Sequence, residues 1–155
     1  MRIETRHWGI VEIPDDQVIH MPEGLLGFED LRRFVLLDLE ESRPFAWLLS
    51  ADDPEISFAV ADPRHFRSGD YPLHLSAADE DQLDLTAGDQ PAVLVIAAVD
   101  ASGRVTGNLR GPIVLNTRNR IARQLVTYGS SLPLRQPILT AWAAPEPGAL
   151  PAKSA

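Results

Sequence analysis

The run Ala92-Val93-Leu94-Val95-Ile96-Ala97-Ala98-Val99 is the most apolar stretch of the chain, and it is only eight residues long. That length and its β-branched content favour a central buried strand over a helix. The other apolar runs are shorter and are set off by turn residues, with 13 Pro and 10 Gly in 155 residues. Residues 3–7 and 10–13 flank Trp8-Gly9 as a hairpin. Residues 17–21 read as extended and stop at Pro22; residues 34–39, 45–50, 56–61, 105–109, 112–115 and 121–127 read as further strands. Asp53-Pro54 and Asp62-Pro63 mark turns, because proline fixes its own φ and pushes the preceding residue to an extended conformation. Ser76-Ala77-Ala78-Asp79 has the spacing of a capping box, which predicts one short helix to about Leu83. A single helical turn over 28–31 is a second candidate. The pattern predicts an all-β fold: a small antiparallel β-barrel or sandwich-like single domain with one or two short helices. The domain is expected over residues 1–143, followed by a disordered Pro/Ala-rich tail over 144–155.

Composition removes several classes of chemistry. The chain contains no cysteine, which excludes disulfides, thiolate metal sites and a cysteine nucleophile. No apolar run approaches the ~18 residues of a membrane span, and Met1-Arg2-Ile3-Glu4-Thr5-Arg6 lacks a signal-peptide core, so a cytoplasmic location is expected. The formal charge is −8, which disfavours phosphate backbones and suits a basic protein partner. The charge is uneven: residues 1–100 hold 21 acids and 7 bases, whereas residues 101–155 hold 1 acid and 7 bases.

Catalytic motifs are missing. There is no dinucleotide or phosphate-binding glycine loop, no G-x-S-x-G and no H-E-x-x-H. Asp62, His65, Asp70 and His74 are the only set that could gather around a metal, and polar loop positions explain them more simply. Acid pairs such as Asp15-Asp16 and Asp52-Asp53 read as solvated turns, since neighbours in a strand face opposite ways. Arg104, Arg110, Arg118, Arg120 and Arg123 form the one basic cluster, with only Tyr128 nearby to stack a base. Phe28, Phe34, Phe45, Trp47 and Phe58 read first as core and second as the lining of a groove. The residues alone lead to an acidic all-β binding module without catalytic apparatus.

An ordered set of motifs then resembles the FliW family of bacterial flagellar assembly factors. The set begins with Ile3-Glu4-Thr5-Arg6 and Gly9-Ile10-Val11-Glu12-Ile13. The most specific match is Val18-Ile19-His20-Met21-Pro22-Glu23-Gly24-Leu25-Leu26-Gly27-Phe28-Glu29. Phe34-Val35-Leu36-Leu37, Pro44-Phe45 with Trp47-Leu48, Asp53-Pro54, Phe58-Ala59-Val60, Asp62-Pro63 with Phe66, and Asp70-Tyr71 follow in family-like order. Thr106-Gly107-Asn108-Leu109-Arg110-Gly111-Pro112-Ile113-Val114-Leu115-Asn116-Thr117 is similar to a family strand pair, with Arg120, Gln124 and Arg135-Gln136-Pro137 after it. The likeness covers about residues 1–139. The chain departs from the family pattern at Leu49, where Gln is common, and at Leu132, where Tyr is common.

The resemblance implies a β-rich, barrel-like regulator of flagellum production. It implies binding to CsrA, an RNA-binding translational regulator, and relief of its repression of flagellin synthesis. It also implies binding to flagellin as the alternative partner. On that basis Gly24, Leu25, Gly27, Phe28, Phe45, Trp47, Asp53, Asp62, Asn108, Leu109, Pro112 and Asn116 are the candidate protein-binding residues. No cofactor, metal, small-molecule ligand, membrane or direct nucleic-acid contact is expected, and no enzymatic activity. The alternatives are a small β-barrel enzyme using Asp62, His65 and His74, and an RNA-binding module using the C-terminal arginines.

Overall fold

The structure is a computed structural model, and it describes residues 1–127 and 131–139. The expected tail over 144–155 and the boundary at 143 lie outside the described residues. A hairpin opens the chain, β1 (Arg2–Thr5) against β2 (Gly9–Glu12). Next come β3 (Ile19–His20), β4 (Arg33–Leu37), β5 (Ala46–Ser50) and β6 (Ser57–Ala61). The helix α1 (Ala77–Gln82) precedes β7 (Ala92–Val99), β8 (Val105–Gly107), β9 (Ile113–Asn116), β10 (Ile121–Gln124) and β11 (Gln136–Pro137). Single turns of 3-10 helix sit at Asp15–Gln17, Glu40–Ser42 and Pro63–His65.

The large sheet runs β11-β8-β7-β6-β5-β4-β3-β10-β9, and β9 pairs back onto β7. That last pairing closes β3, β4, β5, β6, β7, β9 and β10 into a barrel, while β8 and β11 branch off. The branch arises because one edge of β7 serves two partners. Ala92, Val93 and Leu94 pair with β9, whereas Ala97, Ala98 and Val99 pair with β8. The ladders are antiparallel with one exception, the single parallel rung Ile121↔His20 between β10 and β3.

Interior positions alternate along the strands as the pleat requires. Ile19, Met21, Phe34, Leu48, Phe58, Val60, Ile96, Ile113, Leu115 and Ala122 fill the barrel together with Leu25 from a loop. The wall is buried on its outer face as well. Phe45, Trp47, Ala59, Phe66, Val95, Val105 and Leu109 form a second core, and Ile3, Val18, Val35 and Leu49 a third beneath the opening hairpin. Burial on both faces is why these strands read as unbroken apolar runs. Trp47 donates Nε1–H to the Ser42 hydroxyl at 3.0 Å and packs against Trp8. Leu49, the departure from Gln, is fully buried in the third core, where an amide would need partners.

The helix forms as its sequence predicts. The Ser76 hydroxyl accepts from the Asp79 N–H at 3.0 Å, and the Asp79 carboxylate accepts from the Ser76 N–H at 2.9 Å. The expected helical turn over 28–31 is instead a tight turn, with Leu31 N–H donating to the Phe28 carbonyl at 3.1 Å. Residue 17 belongs to the 3-10 turn rather than to β3. The two-residue β11 was not anticipated; a Pro-containing pair is too short to carry a period-2 signal.

Candidate protein-binding surface

The site grows from a proline. Pro22 follows β3 and has no N–H, so the parallel ladder with β10 stops after one rung. The chain then turns through Gly24, whose φ is +65°. A Cβ at Gly24 would lie 2.5 Å from the Phe28 carbonyl oxygen, so only glycine fits. Leu25 and Phe28 face each other across the loop, with Phe28 N–H donating to the Leu25 carbonyl at 2.7 Å. Leu25 is fully buried in the barrel, and the Phe28 ring stands edge-on to Phe58 with centroids 5.2 Å apart. Leu26 at the tip is 65% exposed.

Gln124 ties this loop to a second one. Its Oε1 accepts from the Leu26 N–H at 2.8 Å, and its Nε2 donates to the Gly111 carbonyl at 3.2 Å. Asn108 closes the second loop: its Oδ1 accepts from the N–H groups of Arg110 and Gly111 at 3.0 and 3.1 Å. A Cβ at Gly111 would sit 2.8 Å from Gln124 Nε2 and 2.9 Å from Asn108 Nδ2. Gln124 thus joins the loop that holds Gly24, Leu25, Gly27 and Phe28 to the one that holds Asn108, Leu109 and Pro112, about 80 residues on in the sequence. Sequence reasoning placed Gln124 on its strand and among the family-like positions, but gave it no role in binding.

A cleft of about 1000 Å³ opens beside this junction. It is lined by Glu23, Arg67, Tyr71, His74, Asp79 and the segment from Arg123 to Thr127, among others. Arg123 is bound on two sides, to Glu23 at 2.7 Å and Asp79 at 3.3 Å. Tyr71 donates its hydroxyl to the Leu109 carbonyl. Burial pushes the Tyr71 phenol above its ordinary pKa, against the opposing charge of Arg67.

The remaining candidates lie elsewhere. Phe45 and Trp47 are buried under the outer core, Asn116 at the far end of β9. Asn116 donates Nδ2–H to the Leu83 and Asp84 carbonyls at 3.0 and 3.2 Å and so fixes the chain after α1. Asp53 and Asp62 sit beyond opposite ends of β6. Asp53 accepts from the Glu55 N–H at 3.2 Å, which holds the turn into β6. Asp62 caps the turn Pro63–His65 by accepting from the Arg64 N–H at 2.9 Å. The hydrogen-bonded Arg64 side chain, with that N–H and its charge, holds the Asp62 carboxyl below the usual carboxylate range.

The rival constellations do not assemble. Of Asp62, His65 and His74, only His74 lines the cleft. Among the described residues no group of three or more His, Asp or Glu side chains is arranged to hold a metal. The arginine cluster is dispersed over separate partners. Arg118 pairs with Asp89 at 3.3 Å, Arg110 donates to the Leu132 carbonyl at 2.6 Å, and Arg120 donates to the Gln17 carbonyl at 3.2 Å. No described helix is long and apolar enough to cross a membrane.

The fold is also that of a solved protein. The crystal structure of the flagellar assembly factor FliW superposes with a TM-score of 0.80 at 29% identity, covering 88% of this chain and 96% of that one. The family profile described as FliW protein matches residues 2–138. The flagellar assembly factor FliW of Geotalea uraniireducens is 41% identical over 138 residues, 88% of this chain and 83% of the relative. That of Bdellovibrio bacteriovorus is 41% identical over 141 residues, 90% of this chain and 80% of the relative. The chain belongs to the FliW family of flagellar assembly factors.

Proposed function

We propose that this protein acts in the cytoplasm as a non-enzymatic partner switch in flagellum assembly. It binds CsrA and relieves repression of flagellin translation; it binds flagellin as the alternative partner. The observation that carries this reading is the match to the flagellar assembly factors over residues 2–138, nearly the whole described chain. The geometry is compatible with it. Asp53, Asp62, Asn108 and Asn116 serve turns and caps, and the loop junction and its cleft offer surface for protein contact. The acidic character of the chain, −8 overall, would steer a basic partner and speed the encounter. Leu26, Gly27, Phe28 and Asn108 present contact atoms, while Leu25, Leu109 and Pro112 shape the surface from beneath.

Calorimetric titration of the purified protein with the same organism's CsrA, repeated after saturation with flagellin, tests the proposal. Binding to CsrA that disappears in the presence of flagellin is the expected result. Absence of heat with both partners overturns it.

A further inference from the structure

Beyond Gln124, where β10 ends, the chain runs on extended beside residues 110–112. Leu125 N–H donates to the Pro112 carbonyl at 2.8 Å, and Thr127 N–H to the Arg110 carbonyl at 3.0 Å. The alternation of an antiparallel ladder turns the N–H and C=O of Val126, between them, to the opposite side. Neither group has a partner among the described residues. β3 ends at His20 and does not run alongside them. Val126 lines the cleft and is 42% exposed, and the exposed Leu26 stands beside Gln124. Arg67 lines the same cleft. Its Nε is buried without an acceptor, and it joins no ion pair among the described residues.

We propose that this cleft takes an extended segment of a partner protein, which adds as a strand to the edge at Val126 and sets one carboxylate on Arg67. The edge supplies the main-chain hydrogen bonds and the apolar flank the side-chain contacts of such strand addition. Charge complementarity fixes the occupant's chemistry. Arg123 is already neutralised by Glu23 and Asp79, so Arg67 is the cation left for an incoming carboxylate. Glu23 and Asp79 repel an acidic run, so the segment is apolar with a single Asp or Glu. The inference rests on the reading of the protein as a binding partner, and its test separates the two.

The experiment uses the full chain and overlapping 12-residue synthetic peptides covering the same organism's CsrA and flagellin, alongside the two intact proteins. Peptides with an apolar, singly acidic sequence are expected to bind. Val126→Pro removes the edge N–H without breaking a bond of the fold, and lowers their affinity about tenfold. Arg67→Gln lowers it by a similar factor, and Arg67→Lys recovers part of the loss. Thermal melting of the variants checks that they remain folded. Unchanged peptide affinity in folded Val126→Pro and Arg67→Gln overturns the proposal. Binding of the intact partners without any peptide binding also overturns it, leaving the partner switch intact. Loss of all binding, intact partners included, overturns both. Peptide binding that appears only after removal of residues 140–155, or concentration-dependent dimerisation abolished by Val126→Pro, assigns the cleft to this chain's own tail or to a second copy, and overturns the partner assignment.

Discussion

The wall from β4 to β7 and the junction from β3 to β9 close the same barrel by different means. In the wall, Phe34↔Ser50 through Leu37↔Trp47 and Ala46↔Val60 through Leu49↔Ser57 pair almost every residue, and apolar side chains cover both faces. At the junction, β3 has two residues, meets β10 at a single rung, and is cut short by Pro22. Side chains do there what backbone ladders do in the wall: Gln124 and Asn108 hold loops that no strand reaches. Stability is concentrated in the first region, and surface available to a partner is left in the second.

Three substitutions sharpen that contrast. Phe58→Ala empties the barrel centre and should cost about 3–5 kcal/mol, read as a lower denaturant midpoint. Gly24→Ala strains a positive φ and drives a Cβ into the Phe28 carbonyl; a loss of about 2–4 kcal/mol is expected. Equal losses for Gly24→Ala and a surface alanine control would mean that the loop yields freely and the junction is soft. Gln124→Ala removes two bridging hydrogen bonds and should cost only about 1–2 kcal/mol globally. Hydrogen exchange should quicken more at Leu26 than at Leu48 in the wall, which follows the global loss alone. Uniform quickening would abolish the distinction between the regions.

The smallest effect belongs to Asp62, outside both regions. Its folded carboxyl lies below its ordinary pKa, so its contribution is present at neutral pH and is lost as pH falls through the depressed folded value. With 39% of the side chain exposed, solvent screening keeps that contribution small. Asp62→Asn retains a capping oxygen but loses the charge, so its melting temperature should fall slightly below wild type at pH 7 and converge with it in acid. A constant difference across pH would place the effect in the cap rather than in the ion pair.

The wall was legible in the sequence because its pattern is local. Runs such as Phe34-Val35-Leu36-Leu37 and the eight residues of β7 announce buried strands without reference to anything distant. The capping box at Ser76 was legible for the same reason. The junction was not, because its logic is an encounter between remote residues. Nothing near Gln124 says that its amide meets Leu26, and nothing near Val126 says that β3 stops at His20. Of the candidate residues, Gly24 and Asn108 were reached through the family resemblance rather than through a local pattern. Phe45 and Trp47 were weighed as groove lining because a wall buried on both faces hides its outer aromatics in a way alternation cannot reveal.

The lone rung between His20 and Ile121 also sets a clock. About a hundred residues separate its two strands, so the ring cannot close until the ribosome has released nearly all of the described chain. At roughly 5–20 residues per second, that leaves an interval of about 5–20 seconds. During it β3 has β4 for a partner and its other edge bare. The ring therefore cannot close before β10 has been made.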